Sequence, residues 1–228
     1  MVFFDPTYMI LVLLPAALLT GFAQWKVRSA FSKWNDVANE RGLSGRDTAE
    51  IIMRQAGVPV GVASVAGDLT DYYDPRDKSI HLSEGSTQRP SVAAMAVVAH
   101  EMGHAQQDKT GNVMLNLRAS LVPAATFGSQ LAPWLILLGF ILNVLALAWA
   151  GVIFFAGSVA FTLVTLPVEL DASRRARGFL HDFGLVSPRE EPGVNEVLNA
   201  AALTYVAAAA AALLNLLYYV SLIRRQRA

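Results

Sequence analysis

The sequence predicts an α-helical integral membrane protein with about four transmembrane helices and a small α+β domain. Three observations carry that prediction. The 228 residues are 54% hydrophobic and only 16% charged, against about 25% charged in ordinary globular proteins, and mean hydropathy is +0.41. Four apolar stretches can cross a hydrocarbon core of about 30 Å, which takes about 20 helical residues: Phe3–Phe22, two within Ala119–Val168, and Leu198–Ile223. Between the first two, residues 24–118 carry helix and strand signals in a segment of ordinary polarity.

Phe3–Phe22 has no basic residue ahead of it and no small-residue cleavage site, so residues 1–23 read as a retained anchor. Val27, Ala30, Phe31, Trp34 and Ala38 then recur at helical spacing, predicting an amphipathic helix that ends near Gly42, its stripe serving as core. Ser44 and Asp47 form a capping box for a second helix through Ala49, Ile52, Met53 and Ala56, stopped by Gly57 and Pro59. Short strands follow at Val60–Val65, Leu69–Tyr73 and Lys78–Leu82, the last two paired as a hairpin through the turn residues Asp74-Pro75-Arg76-Asp77. Pro90-Ser91 starts a helix over residues 90–109 whose first half, Ala93 to Ala99, is apolar enough to be buried. Residues 119–168 hold no Lys, Arg, Asp or Glu, which fits a transmembrane hairpin with its turn near Asn143–Gly151 and a kink at Pro133. Residues 169–197 are polar again, and residues 198–228 form the last span and a basic tail.

Lys and Arg number eleven in residues 24–129, four in 169–197 and three in the tail. The positive-inside rule therefore places the two polar segments in the cytoplasm and the N-terminus outside, in an inner-membrane, multi-pass arrangement. The tail Arg224-Arg225-Gln226-Arg227 opposes this, because four spans put both termini on one side. Formal net charge is zero, so no basic field attracts nucleic acid, while Arg174, Arg175 and Arg177 suit anionic headgroups of the lipid bilayer. With no cysteine in the chain, disulfides and thiolate ligands are excluded and His and carboxylates are the metal-binding inventory.

The most specific pattern is His100-Glu101-Met102-Gly103-His104. Residues four apart share a helix face, so both imidazoles can bind one ion while Glu101 takes a proton from bound water. Gly103 leaves a bare Cα where another backbone or a substrate can approach. Catalytic zinc takes three protein ligands and keeps a fourth position open. Glu169, the first charge after the apolar hairpin, is the leading third ligand, because a two-span hairpin returns the chain to the face it left. The alternative roles for Glu169 are a helix cap or the ion-pair partner of Arg174; Asp171, Asp108, His81 and Glu196 are weaker ligand candidates.

The run Asp71-Tyr72-Tyr73-Asp74-Pro75-Arg76, the motif with Ala105-Gln106 after it, Leu166–Ser173 with Arg174-Arg175-Ala176, and Leu198–Tyr205 together resemble the YugP-like neutral zinc metallopeptidases of bacterial membranes. The resemblance covers nearly the whole chain. In layout it is similar to HtpX-type and CAAX-prenyl-protease-type gluzincins, which implies a zincin-like domain, one zinc ion on His100, His104 and Glu169, and Glu101 as base. Those relatives commonly carry an aspartate four residues after the ligand glutamate, where this chain has Ser173.

The expected activity is therefore zinc-dependent hydrolysis of peptide bonds in membrane-associated proteins or peptides near the cytoplasmic face. His81, Tyr73, Tyr205 and Arg174 are candidates to stabilise the oxyanion, Tyr205 and His81 foremost as catalytic residues. Strand Ser79–Ser83 could hold an extended substrate along an exposed edge. The alternative is a membrane scaffold whose metal is structural. A structural site is closed by four ligands, and the chain has few donors left to supply one.

Overall fold

The computed structural model describes residues 5–225. The expected start of the first span at Phe3 and the last basic residue of the tail, Arg227, lie outside the described residues. In chain order the elements are α1 (Pro6–Asn35, with a π turn at Met9–Leu13), α2 (Gly45–Ala56), β1 (Gly61–Val65), β2 (Tyr72–Asp74), β3 (Ser79–Ser83), α3 (Glu84–Gln88), α4 (Val92–Lys109), α5 (Val113–Ile141), α6 (Leu145–Asp182) and α7 (Glu191–Arg225). As the composition predicts, four helices among the described residues are long and apolar enough to cross a membrane: α1, α5, α6 and α7.

The chain forms two compact units. One holds Gln24–Leu115 with Val168–Leu203; the other holds Asn116–Pro167 and the described parts of Met1–Ala23 and Thr204–Ala228.

In the second of these, α5 and α6 meet through small residues. A Cβ on Gly128 would lie 2.3 Å from the Phe154 carbonyl oxygen, and one on Gly139 would lie 2.5 Å from the Ala148 nitrogen. Such contacts let helices approach where lipid supplies no hydrophobic drive for association. The turn between them is at residues 142–144, the start of the expected region. Asn143 takes a positive φ of 55° there, which asparagine tolerates because its short side chain bonds locally. Pro123 and Pro133 both sit inside α5.

In the first unit α4 is central. Its N-cap Ser91 accepts from the Ala94 N–H, and Val92, Ala93, Met95, Ala96, Val98, Ala99 and Met102 pack with Ile52, Ile80, Leu82, Leu180 and Leu198. Burial continues through Gln107, farther than the apolar lead-in alone predicts. Helix α2 has the expected capping box, Ser44 and Asp47 bonding each other's backbone, and ends at Gly57 with φ 63°. The amphipathic helix stops at Asn35, short of Gly42. Residues 37–39 pair instead with the chain before α4: Asn39 N–H donates to the Pro90 carbonyl and Val92 N–H to the Val37 carbonyl.

The sheet order is β1-β3-β2. β2 and β3 form the expected antiparallel hairpin, with Tyr73 opposite Ile80. β1 pairs with β3 in parallel, Val62 opposite Ile80. Strand Ser79–Ser83 is thus central and satisfied on both sides, which corrects the expectation of an exposed edge there. The outer strands of the sheet are β1 and β2.

Candidate metal centre

The site is built by α4 and the Val168–Ser173 stretch of α6, both in the same unit. One turn of α4 separates His100 from His104, so both rings leave the same face, edge to face with centroids 4.8 Å apart. Helix α6 crosses at Gly103, where a Cβ would lie 2.6 Å from the Ala172 carbonyl oxygen. The expected close backbone approach is therefore that of Ala172. It brings Glu169 against both rings: its Oε2 lies 3.2 Å from His100 Nε2 and 3.3 Å from His104 Nε2.

These spacings can be tested against an ion. Tetrahedral zinc with bonds of about 2.0–2.2 Å separates neighbouring ligand atoms by about 3.3–3.5 Å, close to what the two imidazole nitrogens show toward the carboxylate. His100, His104 and Glu169 each offer a ligand atom within 4.8 Å of the others. Glu169 is 2% exposed and His104 8%, so the donors are shielded from bulk water. The donor set, two neutral-capable imidazoles and one carboxylate, fits zinc with a position left for water.

Both imidazoles are held from behind. His104 Nδ1 lies 3.0 Å from Gln107 Oε1, and the Gln107 amide nitrogen donates to the Val168 carbonyl and to Asp171 Oδ2, each at 2.8 Å. His100 Nδ1 lies 3.2 Å from Ser173 Oγ. Ser173 thus sits behind a ring, four residues after Glu169. Glu101 is buried beside His100. Burial pushes its carboxyl above the usual range, against the pull of His100 and His104.

The other candidates are engaged elsewhere. Asp171 accepts from Gln107 and Asn112 and pairs with Arg174 and Arg175. Arg174 is thereby directed to Asp171. Asp108 accepts from Tyr73 Oη and Lys78 Nζ, both at 2.5 Å, and Glu196 from Lys33 and Trp34. His81 stacks on Tyr72, with centroids 4.5 Å apart, and joins Asp74 and Asp77 in a separate cluster on the hairpin. Ser79 Oγ donates its hydrogen to Asp77 and so accepts one from His81 Nε2, 2.8 Å away. Tyr205 stands on α7, in the unit that carries the membrane-length stretches.

Gln107 escaped the sequence reading as a ring partner. Its signal was spacing: it follows His104 by three residues and shares its helix face.

The model of a family described as "Putative neutral zinc metallopeptidase" matches residues 8–224. A curated relative, "Putative membrane protease YugP" of Bacillus subtilis (strain 168), is 43% identical over 203 residues, covering 89% of this chain and 90% of the relative. No solved structure matches.

Proposed function

The chain belongs to this neutral zinc metallopeptidase family, and from that premise we propose that it is a membrane-embedded zinc endopeptidase with a zincin-like domain. The carrying observation is the convergence of His100 Nε2, His104 Nε2 and Glu169 Oε2 around one buried point. His100, His104 and Glu169 would hold the zinc, which when bound would supply a water of pKa about 7 and Lewis acidity toward the scissile carbonyl.

The chain's own groups do the rest. Glu101 accepts the proton of the attacking water at its carboxylate and delivers it to the leaving amine nitrogen. Its raised affinity for a proton suits a group that must both take and return one. Gln107 and Ser173 hold the rings. Tyr205 and His81 are the proposed donors to the developing oxyanion, and the commitment of His81 Nε2–H to Ser79 favours Tyr205.

The distribution of Lys and Arg supports a cytoplasmic site at the inner membrane. Glu169 follows directly on an apolar stretch of fifty residues, which supports membrane proteins or membrane peptides as substrates. A closed structural site is disfavoured, because the cluster offers three ligands among the described residues where four are usual.

The test compares Glu101→Gln with Glu169→Ala in the full chain. Glu101→Gln should keep one zinc and lose peptide hydrolysis; Glu169→Ala should lose both. Stoichiometric zinc in Glu169→Ala, or wild-type turnover in Glu101→Gln, overturns the reading.

A further inference from the structure

Gln107 is fully buried, and its surroundings dictate which of its amide atoms faces where. The Val168 carbonyl oxygen and the Asp171 carboxylate can only accept, so the atom 2.8 Å from both is the NH2 group. The amide oxygen then faces His104 Nδ1 at 3.0 Å, where it can only accept. His104 must therefore carry its hydrogen on Nδ1, leaving the Nε2 lone pair for the side where Glu169 lies.

Behind the amide, Asp171 is fixed in turn. Arg175 Nε donates to its Oδ2 at 2.8 Å, Asn112 reaches the same oxygen at 3.3 Å, and Arg174 takes the other. A second arm of Arg175 donates to Gln106 Oε1 at 2.8 Å. The line Asp171–Gln107–His104 is thus a carboxylate acting on an imidazole through one amide. Ligating histidines commonly give their second N–H to a carboxylate or carbonyl directly; here the carboxylate is one group removed. Its charge polarises the amide and strengthens the oxygen as an acceptor, as chained hydrogen bonds do.

We propose that Gln107 is a positioning residue for the metal site, setting the tautomer and orientation of His104 under the control of Asp171, and that an amide is required at this place. The inference rests on the reading of His104 as a zinc ligand. Glutamate is nearly isosteric, yet it would set a carboxylate oxygen against two acceptors. Leucine would leave the His104 Nδ1–H unpaired in a dry site and remove the second hydrogen bond on the Val168 carbonyl.

The test is zinc affinity, measured by chelator competition on the full-length protein in detergent, for wild type, Gln107→Leu, Gln107→Glu and the pair Gln107→Glu/Asp171→Asn. Both single variants should bind zinc roughly 10–100-fold more weakly. In the pair, asparagine offers the glutamate an N–H donor, so binding should recover by several-fold over Gln107→Glu. A position that only fills space would show no such rescue. A second measurement needs no variant: nitrogen NMR of histidine-labelled, zinc-loaded wild type should show the His104 hydrogen on Nδ1.

Failure of the wild type to bind zinc would sink the metal-site reading itself. Zinc binding by the wild type, together with single variants within twofold of it, a pair no tighter than Gln107→Glu, or metal on His104 Nδ1, would overturn the role of Gln107 alone.

Discussion

Gly103→Ala is the sharpest probe of how α4 and α6 make the site. The added Cβ would lie 2.6 Å from the Ala172 carbonyl oxygen and 3.1 Å from its Cα, about 0.4 Å inside the 3.0 Å that real Cβ atoms respect. The obstruction is backbone within a helix and cannot rotate away, so α4 and α6 must part by at least that amount. Ligand distances in a metal site tolerate about 0.2 Å, and Glu169 reaches His100 and His104 from the displaced helix. Zinc affinity should fall roughly tenfold or more. Overpacking at such a contact also costs about 1–3 kcal/mol, or roughly 2–12 °C in melting temperature for a chain of this size. Chelator competition and thermal melting in detergent read the two effects. Gly85→Ala is the control, since a Cβ there meets nothing within 4 Å. A Gly103→Ala protein that binds zinc within twofold of wild type and melts unshifted would refute the close crossing of these helices.

Two further outcomes follow from other contacts. Burial alone would raise the Asp108 carboxyl, but the hydrogen bonds from Lys78 and Tyr73 hold it below the ordinary range. A depressed folded value stabilises above the unfolded carboxyl pKa of about 3.9 and is lost as pH falls through the folded value. Asp108→Asn should therefore be about 1 kcal/mol less stable at pH 7, with the melting curves of variant and wild type converging as pH is lowered below 4. If Tyr205 donates to the oxyanion, Tyr205→Phe should lower kcat about 10²–10³-fold with KM unchanged, whereas His81→Ala, its Nε2–H committed to the hairpin, should keep kcat within a few-fold; the reverse pattern would exchange the two roles.

Much of the fold was written in local patterns. The capping box at Ser44 and Asp47, the hairpin turn at Asp74–Asp77 and the apolar run before His100 each specify an element through a few neighbouring residues, and the structure forms all three. Strand order was not legible, because the parallel partner of β1 lies beyond the β2 hairpin strand and pairing across that distance leaves no local mark. One hint existed. Ser79–Ser83 buries four of its five residues, and a strand such as Ile80-His81-Leu82 flanked by small serines suits a central position better than an edge. The amphipathic stripe running to Ala38 misled for a related reason: residues 37–39 pair with the chain before α4 through backbone groups, and such pairing leaves no mark in the side chains. At the site, the two imidazoles were visible from spacing and Ser173 was marked by its place four residues after Glu169, while Gln107 was read as an ordinary polar residue because its meaning depends on which atoms of α6 stand opposite.

Placing one helix against another requires fixing their separation, their slide along each other and their rotation, and α4 and α6 fix each with a different chemistry. Separation is set by the absence of a side chain at Gly103 against Ala172. Slide is set by the Gln107 amide, which bonds the Val168 carbonyl and Asp171 together and tolerates a displacement of only a few tenths of an ångström in hydrogen bonds of 2.8 Å. Rotation is set by Ser173 behind His100 and Glu169 in front of it, four residues apart on one face of α6. None of these contacts needs an ion, so the ligand atoms are brought together by the fold. The histidine motif alone could not do this: on an isolated helix it supplies two donors and no third. What completes the site is the segment Val168–Ser173, whose carbonyl, carboxylates, backbone and hydroxyl together meet His100, Gly103, His104 and Gln107 of α4.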